Sequence, residues 1–327
     1  MAEIHPGAPV ALTGGTGFVG RRLQRSLIDA GLIPRVLVRP GSANAGHVLD
    51  GSESLQVALD DRIALADAVQ DCAAVIYCAG SVRGRRPADF HAANVAGIEA
   101  LIEALTGRAT PPPVLLISSL AASRPQLSDY AASKHLGERC LAAYPGPWTA
   151  LRPTAIYGPG DRELRPLFAL MRRGIVPATG PRGQRLSFLH VDDLAAAVLA
   201  WLQHWPACRD GIFPLHDGRP NGYDWRDIGH AVAGRPVSPI PVPQALLALA
   251  AHGNRLLSSL IGYAPMLTPG KLREINQPDW LADNSEFTAA TGWTPTIDLA
   301  TGVARLFAAP ADRPIANRPD NPDNRPP

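Results

Sequence analysis

The stretch Thr13-Gly14-Gly15-Thr16-Gly17-Phe18-Val19-Gly20 decides the fold of this chain of 327 residues. It follows a short apolar run, residues 9–12, and opens residues 18–30, where apolar side chains recur at helical spacing. The three glycines at a spacing of three permit a tight turn, a close approach of backbone to a phosphate, and close packing of helix on strand. Because the free amides at the start of such a helix bind anions, the stretch predicts a dinucleotide pyrophosphate site.

Short apolar runs alternate with helical stretches through the first half of the chain. Strands are predicted at residues 10–12, 35–38, 54–59, 74–78, 114–118 and 148–152, and helices at residues 18–30, 61–70, 88–107 and 128–143. This alternation implies right-handed crossovers, and hence an α/β fold with a doubly wound parallel sheet of Rossmann type. Ligands bind at the carboxyl ends of such strands, where the glycine-rich stretch, Cys78-Ala79-Gly80 and Ser118-Ser119 all fall.

The pattern loosens after residue 158, and we expect the chain to divide there. Residues 1–158 are predicted to form the dinucleotide-binding domain, with residues 186–206 returning to it, and residues 159–185 and 207–309 to form a smaller C-terminal substrate lobe. Residues 310–327 are mostly Pro, Asp, Asn and Arg. They bury too little apolar surface to offset their ordering entropy, so a disordered tail is predicted.

A second motif, Tyr130-Ala131-Ala132-Ser133-Lys134, places a phenol and an ammonium one helical turn apart. The ammonium is expected to stabilise the phenolate and to lower the tyrosine pKa from its ordinary value of about 10. Such a tyrosine can protonate a carbonyl oxygen as hydride reaches the carbon, or accept the hydroxyl proton in reverse. Ser119, at the end of the preceding predicted strand, can hold the same oxygen by a hydrogen bond.

The end of the second predicted strand bears on which dinucleotide binds. An acidic residue there binds the ribose 2′-hydroxyl of NAD, whereas an arginine can pair with the 2′-phosphate of NADP. The sequence Leu37-Val38-Arg39-Pro40-Gly41-Ser42 has no acid at this tip. Arg39 offers a planar, permanently charged phosphate partner, and Arg21 could add to it. NADP(H) is therefore favoured, with NAD(H) as the alternative.

Composition argues against several other functions. Net charge is +2 without a long basic stretch, so the sequence lacks the basic patch that is typical of nucleic-acid-binding proteins. The four cysteines form no CxxC pair, no His/Asp/Glu cluster has ligand spacing, and no metal site is predicted. No apolar run reaches the roughly 18 residues of a membrane span, and the start lacks a signal pattern, so a cytoplasmic location is expected. Residues 246–260 are predicted to pack in the core, or to form a lid or a membrane-surface helix, which leaves peripheral membrane contact open.

Together these motifs resemble the short-chain dehydrogenase/reductase superfamily, in its extended NAD-dependent epimerase/dehydratase branch. The segments that carry the resemblance run in order through residues 8–305, at 13–20, 78–80, 94–97, 118–119, 130–134, 152–160 and 190–194. The resemblance implies that Ser119, Tyr130 and Lys134 are a catalytic triad, because the family's catalytic Ser or Thr takes the second position of such serine pairs. It also implies that Lys134 binds the nicotinamide ribose.

The resemblance further implies a set of cofactor contacts. Asn94 matches a helix asparagine that is usually structural and near the cofactor, and Pro153 and Thr154 would lie near the nicotinamide. The whole expected cofactor set is Thr13, Gly14, Gly15, Thr16, Gly17, Phe18, Val19, Gly20, Arg39, Cys78, Ala79, Gly80, Asn94, Tyr130, Lys134, Pro153 and Thr154. His190 is expected to be structural, capping or orienting the next helix. Homodimers are frequent in the family, often through the helices near residues 88–107 and 128–143.

Two departures from the family pattern bear on the substrate. Ser119 and Tyr130 lie closer in sequence than in typical sugar-nucleotide epimerases, which insert a longer loop there. Those enzymes also tend to carry an arginine where this chain has Leu186, with Arg185 one residue out of register. The flanks at residues 81–84 and 278–280 look more like bacterial relatives of 3β-hydroxysteroid dehydrogenases and dihydroflavonol reductases.

Three functions are therefore weighed. The first is an NAD(P)-dependent oxidoreductase that moves hydride between nicotinamide and an apolar alcohol or ketone, hydroxysteroid-like or flavonol-like, with a small-molecule substrate as its partner. The second is a nucleotide-sugar epimerase or dehydratase with tightly bound NAD. The third is a non-catalytic NADPH-binding scaffold.

Overall fold

A seven-stranded parallel sheet forms the centre of the chain in a computed structural model that describes residues 4–261 and 263–308. The strands are β1 (Pro9–Thr13), β2 (Ile33–Val38), β3 (Glu53–Gln56), β4 (Ala74–Tyr77), β5 (Val114–Ile117), β6 (Trp148–Pro153), β7 (Ala155–Tyr157), β8 (Val176–Ala178), β9 (Arg185–Leu186), β10 (Phe188–His190), β11 (Gly211–Leu215), β12 (Pro239–Pro241) and β13 (Asp279–Trp280). The main sheet has the order β11-β6-β5-β4-β1-β2-β3. Every pairing in it is parallel, and the strand order switches sides at β1, with β2 and β3 on one side and β4, β5, β6 and β11 on the other.

Helices cover both faces of this sheet. The helices of the described residues are α1 (Phe18–Asp29), α2 (Arg62–Ala68), α3 (Pro87–His91), α4 (Gly97–Leu105), α5 (Asp129–Leu141), α6 (Arg165–Arg172), α7 (Val191–His204), α8 (Trp225–Ala233), α9 (Gln244–Ile261), α10 (Pro269–Ile275), α11 (Ser285–Thr291) and α12 (Leu299–Ala308). All residues of β4 and β5 are buried, as strands covered on both faces require. The predicted fold class, a doubly wound parallel sheet of Rossmann type, is confirmed.

Two apolar cores lie on opposite faces of the sheet. One packs α1 and α7 against the strands, with Leu23, Val198 and Trp201 buried in it. The other packs α4 and α5 against them, with Leu101 and Leu141 buried. The return of residues 191–204 to the sheet as α7 follows from the buried apolar face of that helix.

The helix predicted over residues 88–107 is broken in the structure. A π-helical turn, Ala92–Ala96, separates α3 from α4. The hydroxyl of Tyr77 donates a hydrogen bond to the Ala93 carbonyl at 2.7 Å, and the Asn94 side chain is buried among hydrogen-bond partners. Turns of this type occur often at functional sites, and here the turn is where Asn94 sits.

The predicted boundary of the substrate lobe at residue 207 is partly wrong. Residues 211–215 form β11, which pairs with β6 at the edge of the main sheet. Phe287 and Trp293 also pack in the core beneath that sheet. Pro214 interrupts the apolar run, which is why the sequence pattern there does not predict a strand. An edge strand tolerates a proline because one of its sides makes no hydrogen bonds to a neighbouring strand.

The rest of the second half builds a smaller third core. Tyr157, Phe168 and Phe188 stack with tilted or perpendicular rings at its centre. Strands β8 and β12 pair beside α6 and α8, and α12 closes the cluster. We still infer from this core that the remaining residues form a substrate lobe. The predicted tail at residues 310–327 lies outside the described residues.

Candidate active site

The glycine-rich stretch forms a tight turn between β1 and α1. Gly14 has a φ of +66°, and a Cβ there would lie 2.7 Å from the Ala79 backbone. A Cβ on Gly20 would lie 2.2 Å from the Gly14 carbonyl oxygen. Gly17 occupies the N-cap of α1, where no side chain caps the helix and no acid lies in the first turn. The backbone N–H groups of the first turn of α1 therefore face no acidic side chain in that turn. The residues fit the pyrophosphate of a dinucleotide.

The ends of β1 and β4 are tied together next to this turn. The backbone N–H groups of Cys78 and Ala79 both donate to Thr13 Oγ1, each at 3.1 Å. A Cβ on Gly80 would lie 2.9 Å from Asn94 Oδ1 and 3.1 Å from Lys134 Nζ. The loop 78–80 therefore runs from the glycine-rich turn directly to Lys134, along the path expected for the cofactor.

The loop after β2 carries the residues expected to select the cofactor. Arg39 is exposed at the end of β2 and lines the same cleft as Arg21 and His47. Gln24, a buried polar residue of α1 that sequence reasoning missed, donates to the Gly15 carbonyl at 2.9 Å and accepts from the Leu49 N–H at 2.8 Å. It thereby fixes this loop to the glycine-rich turn. A glutamine on the apolar face of α1 was the available signal.

Ser119, Tyr130 and Lys134 come together where β5 and α5 meet the cleft. The Ser119 side chain hydrogen bonds to the Tyr130 phenol. Lys134 Nζ is buried and donates to the Ile117 carbonyl at 3.0 Å. Ser128 caps α5 by accepting from the Ala131 N–H at 3.0 Å, which starts the helix two residues before the tyrosine.

The electrostatics of this cluster differ from the expectation. Burial raises the pKa of Tyr130 to about 12, against the lowering effect of its hydrogen bond to Ser119, and the Glu274 carboxylate raises it further. Burial likewise lowers the pKa of Lys134 to about 8. The predicted lowering of the tyrosine pKa is thus wrong, because desolvation of the phenolate is the largest effect on it. At neutral pH the phenol holds its proton and is a proton donor.

The two serines of the 118–119 pair have separate roles. Ser118 donates to Glu138 Oε1 at 2.5 Å, and Glu138 also forms a buried ion pair with Arg152 at 2.6 Å. The Ser118 hydroxyl is therefore committed to holding β5, α5 and β6 together. The Ser119 hydroxyl, by contrast, interacts with the Tyr130 phenol.

Asn94 lies behind the cluster as a structural link. Its side-chain amide donates to the Ser81 carbonyl at 3.1 Å and to Ser133 Oγ at 2.9 Å, and its Oδ1 accepts from the Ser81 N–H at 3.0 Å. Asn94 therefore binds the loop after β4 to α5. His190 is similarly structural: it is fully buried, and its Nδ1 accepts from the Asp192 N–H at 3.2 Å to cap α7.

Two buried hydroxyls line the cleft without a partner among the described residues. One belongs to Thr154, predicted near the nicotinamide, and directly follows Pro153 of β6. The other belongs to Ser187, which sequence reasoning missed. An unpaired buried hydroxyl costs free energy, so both are placed to bond a ligand. No motif surrounds Ser187 that could have revealed it.

Every expected site residue except Thr13, Gly15 and Asn94 borders one continuous cleft of about 1320 Å³. That volume exceeds the roughly 300–1000 Å³ of a site for one small ligand, so a dinucleotide and a second molecule both fit. Beyond Tyr130 the lining combines charged residues, among them Arg162, Glu163 and Lys271, with a set of large apolar side chains: Leu164, Leu167, Met171, Trp225, Met266 and Trp280. Leu186 also lines this end, whereas Arg185 pairs with Asp227 at 3.6 Å.

No group of three or more His, Cys, Asp or Glu side chains in the described part of the chain could hold a metal ion. The chemistry on offer at the cleft is therefore a phenolic proton donor, a hydroxyl beside it and a buried amine, facing a phosphate-binding turn. These are the groups needed to protonate a carbonyl oxygen next to a bound dinucleotide.

Comparison with known proteins agrees with this geometry. The model of the NAD-dependent epimerase/dehydratase family matches residues 10–211. A ceramide reductase from Caulobacter vibrioides is 35% identical over 311 residues, which cover 88% of this chain and 93% of that protein. A 2-alkyl-3-oxoalkanoate reductase from Stenotrophomonas maltophilia is 29% identical over 240 residues, or 64% of this chain and 71% of the relative.

Solved structures share the architecture. The crystal structure of UDP-glucose 4-epimerase from Thermotoga maritima, bound to UDP-glucose, superposes with a TM-score of 0.69 and 18% identity. The superposition covers 92% of this chain and 97% of the epimerase. At that identity the likeness concerns the fold.

Proposed function

This chain belongs to the NAD-dependent epimerase/dehydratase family, the extended branch of the short-chain dehydrogenases/reductases, and we propose that it is an NADPH-dependent reductase of ketones on long alkyl chains. Family membership makes it an NAD(P)-dependent oxidoreductase, as predicted, rather than a non-catalytic scaffold. The single observation that carries the finer proposal is the apolar end of the cleft, which begins beside a protonated Tyr130.

The residues around the phenol account for the proton side of the reaction. NADPH, when bound, supplies the hydride. Tyr130 donates its proton to the substrate oxygen, and Ser119, hydrogen-bonded to the phenol, holds that oxygen in place. Lys134 is anchored on the Ile117 carbonyl, so its buried amine is held at the end of β5, in the cleft that the phenol also lines. The raised pKa of Tyr130 keeps the phenol protonated at neutral pH, so a proton is available there for an alkoxide-like oxygen.

NADPH is proposed over NADH because of the tip of β2. Arg39 is exposed there and borders the cleft, with no carboxylate in residues 37–42 to bind a ribose 2′-hydroxyl. Arg21, on the first turn of α1, lines the same end of the cleft. Two guanidinium groups close to one ribose suit a 2′-phosphate.

A ketone on an alkyl chain is proposed over a steroid or flavonol. The names of the two relatives refer to a ceramide and to a 2-alkyl-3-oxoalkanoate, both of them built on alkyl chains. The flexible thioethers of Met171 and Met266 and the aliphatic Leu164 and Leu167 suit a chain of variable shape. Leu186 at the cleft, and Arg185 engaged with Asp227, speak against a nucleotide diphosphate.

The test is an NADPH consumption assay on purified protein, with a long-chain 3-oxo lipid in detergent and UDP-glucose as the comparison substrate. We expect NADPH oxidation with the 3-oxo lipid and none with UDP-glucose. Protein that retains NAD through purification, consumes no added NADPH and converts a sugar nucleotide would overturn the proposal in favour of an epimerase.

A further inference from the structure

Helix α9 carries an apolar face that nothing in the described structure covers. Leu246, Leu249, Leu257 and Ile261 are between 47% and 72% exposed. At 100° per residue all four fall within about 120° of arc, so they form one continuous stripe. Gly253 and Ala250 lie within the same arc and are exposed as well. We call these residues the α9 stripe.

The stripe continues onto neighbouring elements. Ile240 of β12 is 54% exposed, and Ile175, which precedes the paired strand β8, is 45% exposed. Gln244, at the start of α9, donates to the Thr179 carbonyl at 2.9 Å and holds the helix against the turn after β8. Exposed apolar side chains therefore occur on α9, on β12, which precedes it, and next to β8, whose following turn accepts the hydrogen bond from Gln244.

The two stretches of sequence that supply these elements contain no acidic residue. Residues 164–191 contain five arginines, residues 228–273 contain three arginines and one lysine, and neither stretch contains Asp or Glu. The whole chain has a net charge of only +2, so the positive charge is concentrated in these two stretches. Arg173 and Arg182 are exposed among them. An apolar stripe flanked by cations is complementary to a surface of anionic lipid headgroups over acyl chains.

The opposite side of α9 borders the cleft. Arg255 and Ser258 line it, followed by Pro265 and Met266 in the segment after the helix. The helix thus stands between the outer surface and the apolar end of the candidate active site. No helix among residues 4–261 and 263–308 is long and apolar enough to cross a bilayer.

We propose that the α9 stripe docks on the surface of an anionic phospholipid bilayer and that the apolar end of the cleft opens there. The four apolar side chains enter the headgroup region, and the exposed arginines contact lipid phosphates. A substrate with a long alkyl chain then passes from bilayer to cleft along α9. The surface is independent of the proposed function, while the passage of substrate rests on it.

The experiment is co-sedimentation of the full chain with vesicles of equal parts phosphatidylcholine and phosphatidylglycerol, and with vesicles of phosphatidylcholine alone. We expect tighter binding to the anionic vesicles, weakened by added salt. The double substitution Leu249→Glu/Leu257→Glu should weaken binding roughly tenfold or more, because it removes two apolar side chains whose burial in the bilayer favours binding. Ile63→Glu, at a residue 78% exposed on α2 and far in sequence from the stripe, is the matched control and should bind as wild type.

The outcomes separate this surface from the alternatives. Failure of wild type to bind either vesicle, or equal binding by the double variant, would overturn docking. Sedimentation velocity without vesicles tests a second copy of the chain as the occupant: a dimer that becomes a monomer in the double variant would replace the bilayer with a protein interface. NADPH titration of the same variants shows whether they are folded. Vesicle binding without any NADPH-dependent reduction would refute the proposed function and leave the docking surface standing.

Discussion

The hydroxyl of Ser128 donates a hydrogen bond to the carboxylate of Glu274, and this contact joins the lobe helix α10 to the start of the helix that carries Tyr130. Both side chains are buried. Glu274 also accepts from Lys271 Nζ at 2.7 Å. A carboxylate of the substrate lobe therefore sets both the position of α5 and the electrostatic surroundings of the phenol.

Replacement of this carboxylate should lower the pKa of Tyr130. Glu274 raises that pKa in the structure, so Glu274→Gln removes a charge that opposes the phenolate. For reduction the phenol must carry its proton, and the rate falls as pH rises through its pKa. The descending limb of the kcat profile should therefore move to lower pH in the variant. Lys271→Gln keeps the carboxylate and should not move the limb downward; an unshifted Glu274→Gln profile would contradict this role.

Tyr130→Phe should lower kcat by roughly 100-fold or more, since that is the usual contribution of a general acid. Binding of NADPH, measured by calorimetry, should change little because the phosphate-binding turn is untouched. Tyr144→Phe is the matched control: this buried hydroxyl bonds the Pro112 carbonyl at 2.8 Å, away from the cleft lining. Undiminished turnover by Tyr130→Phe would require another proton donor.

Arg39→Ala should weaken NADPH binding by roughly tenfold or more while leaving NADH binding nearly unchanged, since a charge-assisted contact to the 2′-phosphate is lost. Calorimetric titration with each cofactor measures the ratio of the NADPH and NADH dissociation constants. Arg25→Ala removes an equal charge from the exposed face of α1 and serves as the control. Equal losses for both cofactors would assign Arg39 a role other than phosphate recognition.

Lys134 should make stability depend on pH above neutrality. Its pKa is lowered by burial from 10.5 to about 8 in the folded chain. Between these values the unfolded chain binds more protons than the folded chain, so the free energy of unfolding rises with pH. A shift of one pKa unit corresponds to about 1.4 kcal/mol, so the free energy of unfolding should rise by about 3 kcal/mol in all. Denaturant titrations at pH 7 and pH 10 should show it in wild type and not in Lys134→Met; parallel pH dependence in both proteins would refute it.

Ser187→Ala should separate stability from substrate binding. The Ser187 hydroxyl is buried without a partner among the described residues, so its removal should leave the free energy of unfolding unchanged or raise it by up to about 1 kcal/mol. If the hydroxyl bonds a ligand in the cleft, KM for the ketone should rise roughly threefold to tenfold. Ser133→Ala, which loses a bond from Asn94 at 2.9 Å, should instead destabilise the chain. An unchanged KM would remove Ser187 from the binding site.

Local chemistry made part of this site predictable. The positive φ of Gly14 and the absence of room for a Cβ on Gly20 are properties of one turn, so glycine spacing alone anticipated them. Tyr130 and Lys134 lie one helical turn apart, and helical geometry alone placed them on one face. Contacts between distant segments were not predictable in this way. Ser128 and Glu274 are 146 positions apart, and no pattern near either one signals the other.

The sequence by itself determined the parallel doubly wound fold, the glycine-rich turn between β1 and α1 and the one-turn spacing of Tyr130 and Lys134, because each depends on residues close together in the chain. Only the tertiary structure decided that β11 completes the sheet despite Pro214, that Ser118 is committed to Glu138 while Ser119 reaches the phenol, and that burial keeps Tyr130 protonated. Pairing at a sheet edge, the direction of a buried hydroxyl and the desolvation of a phenol all depend on which distant segments pack together, and that is fixed only when the whole chain has folded.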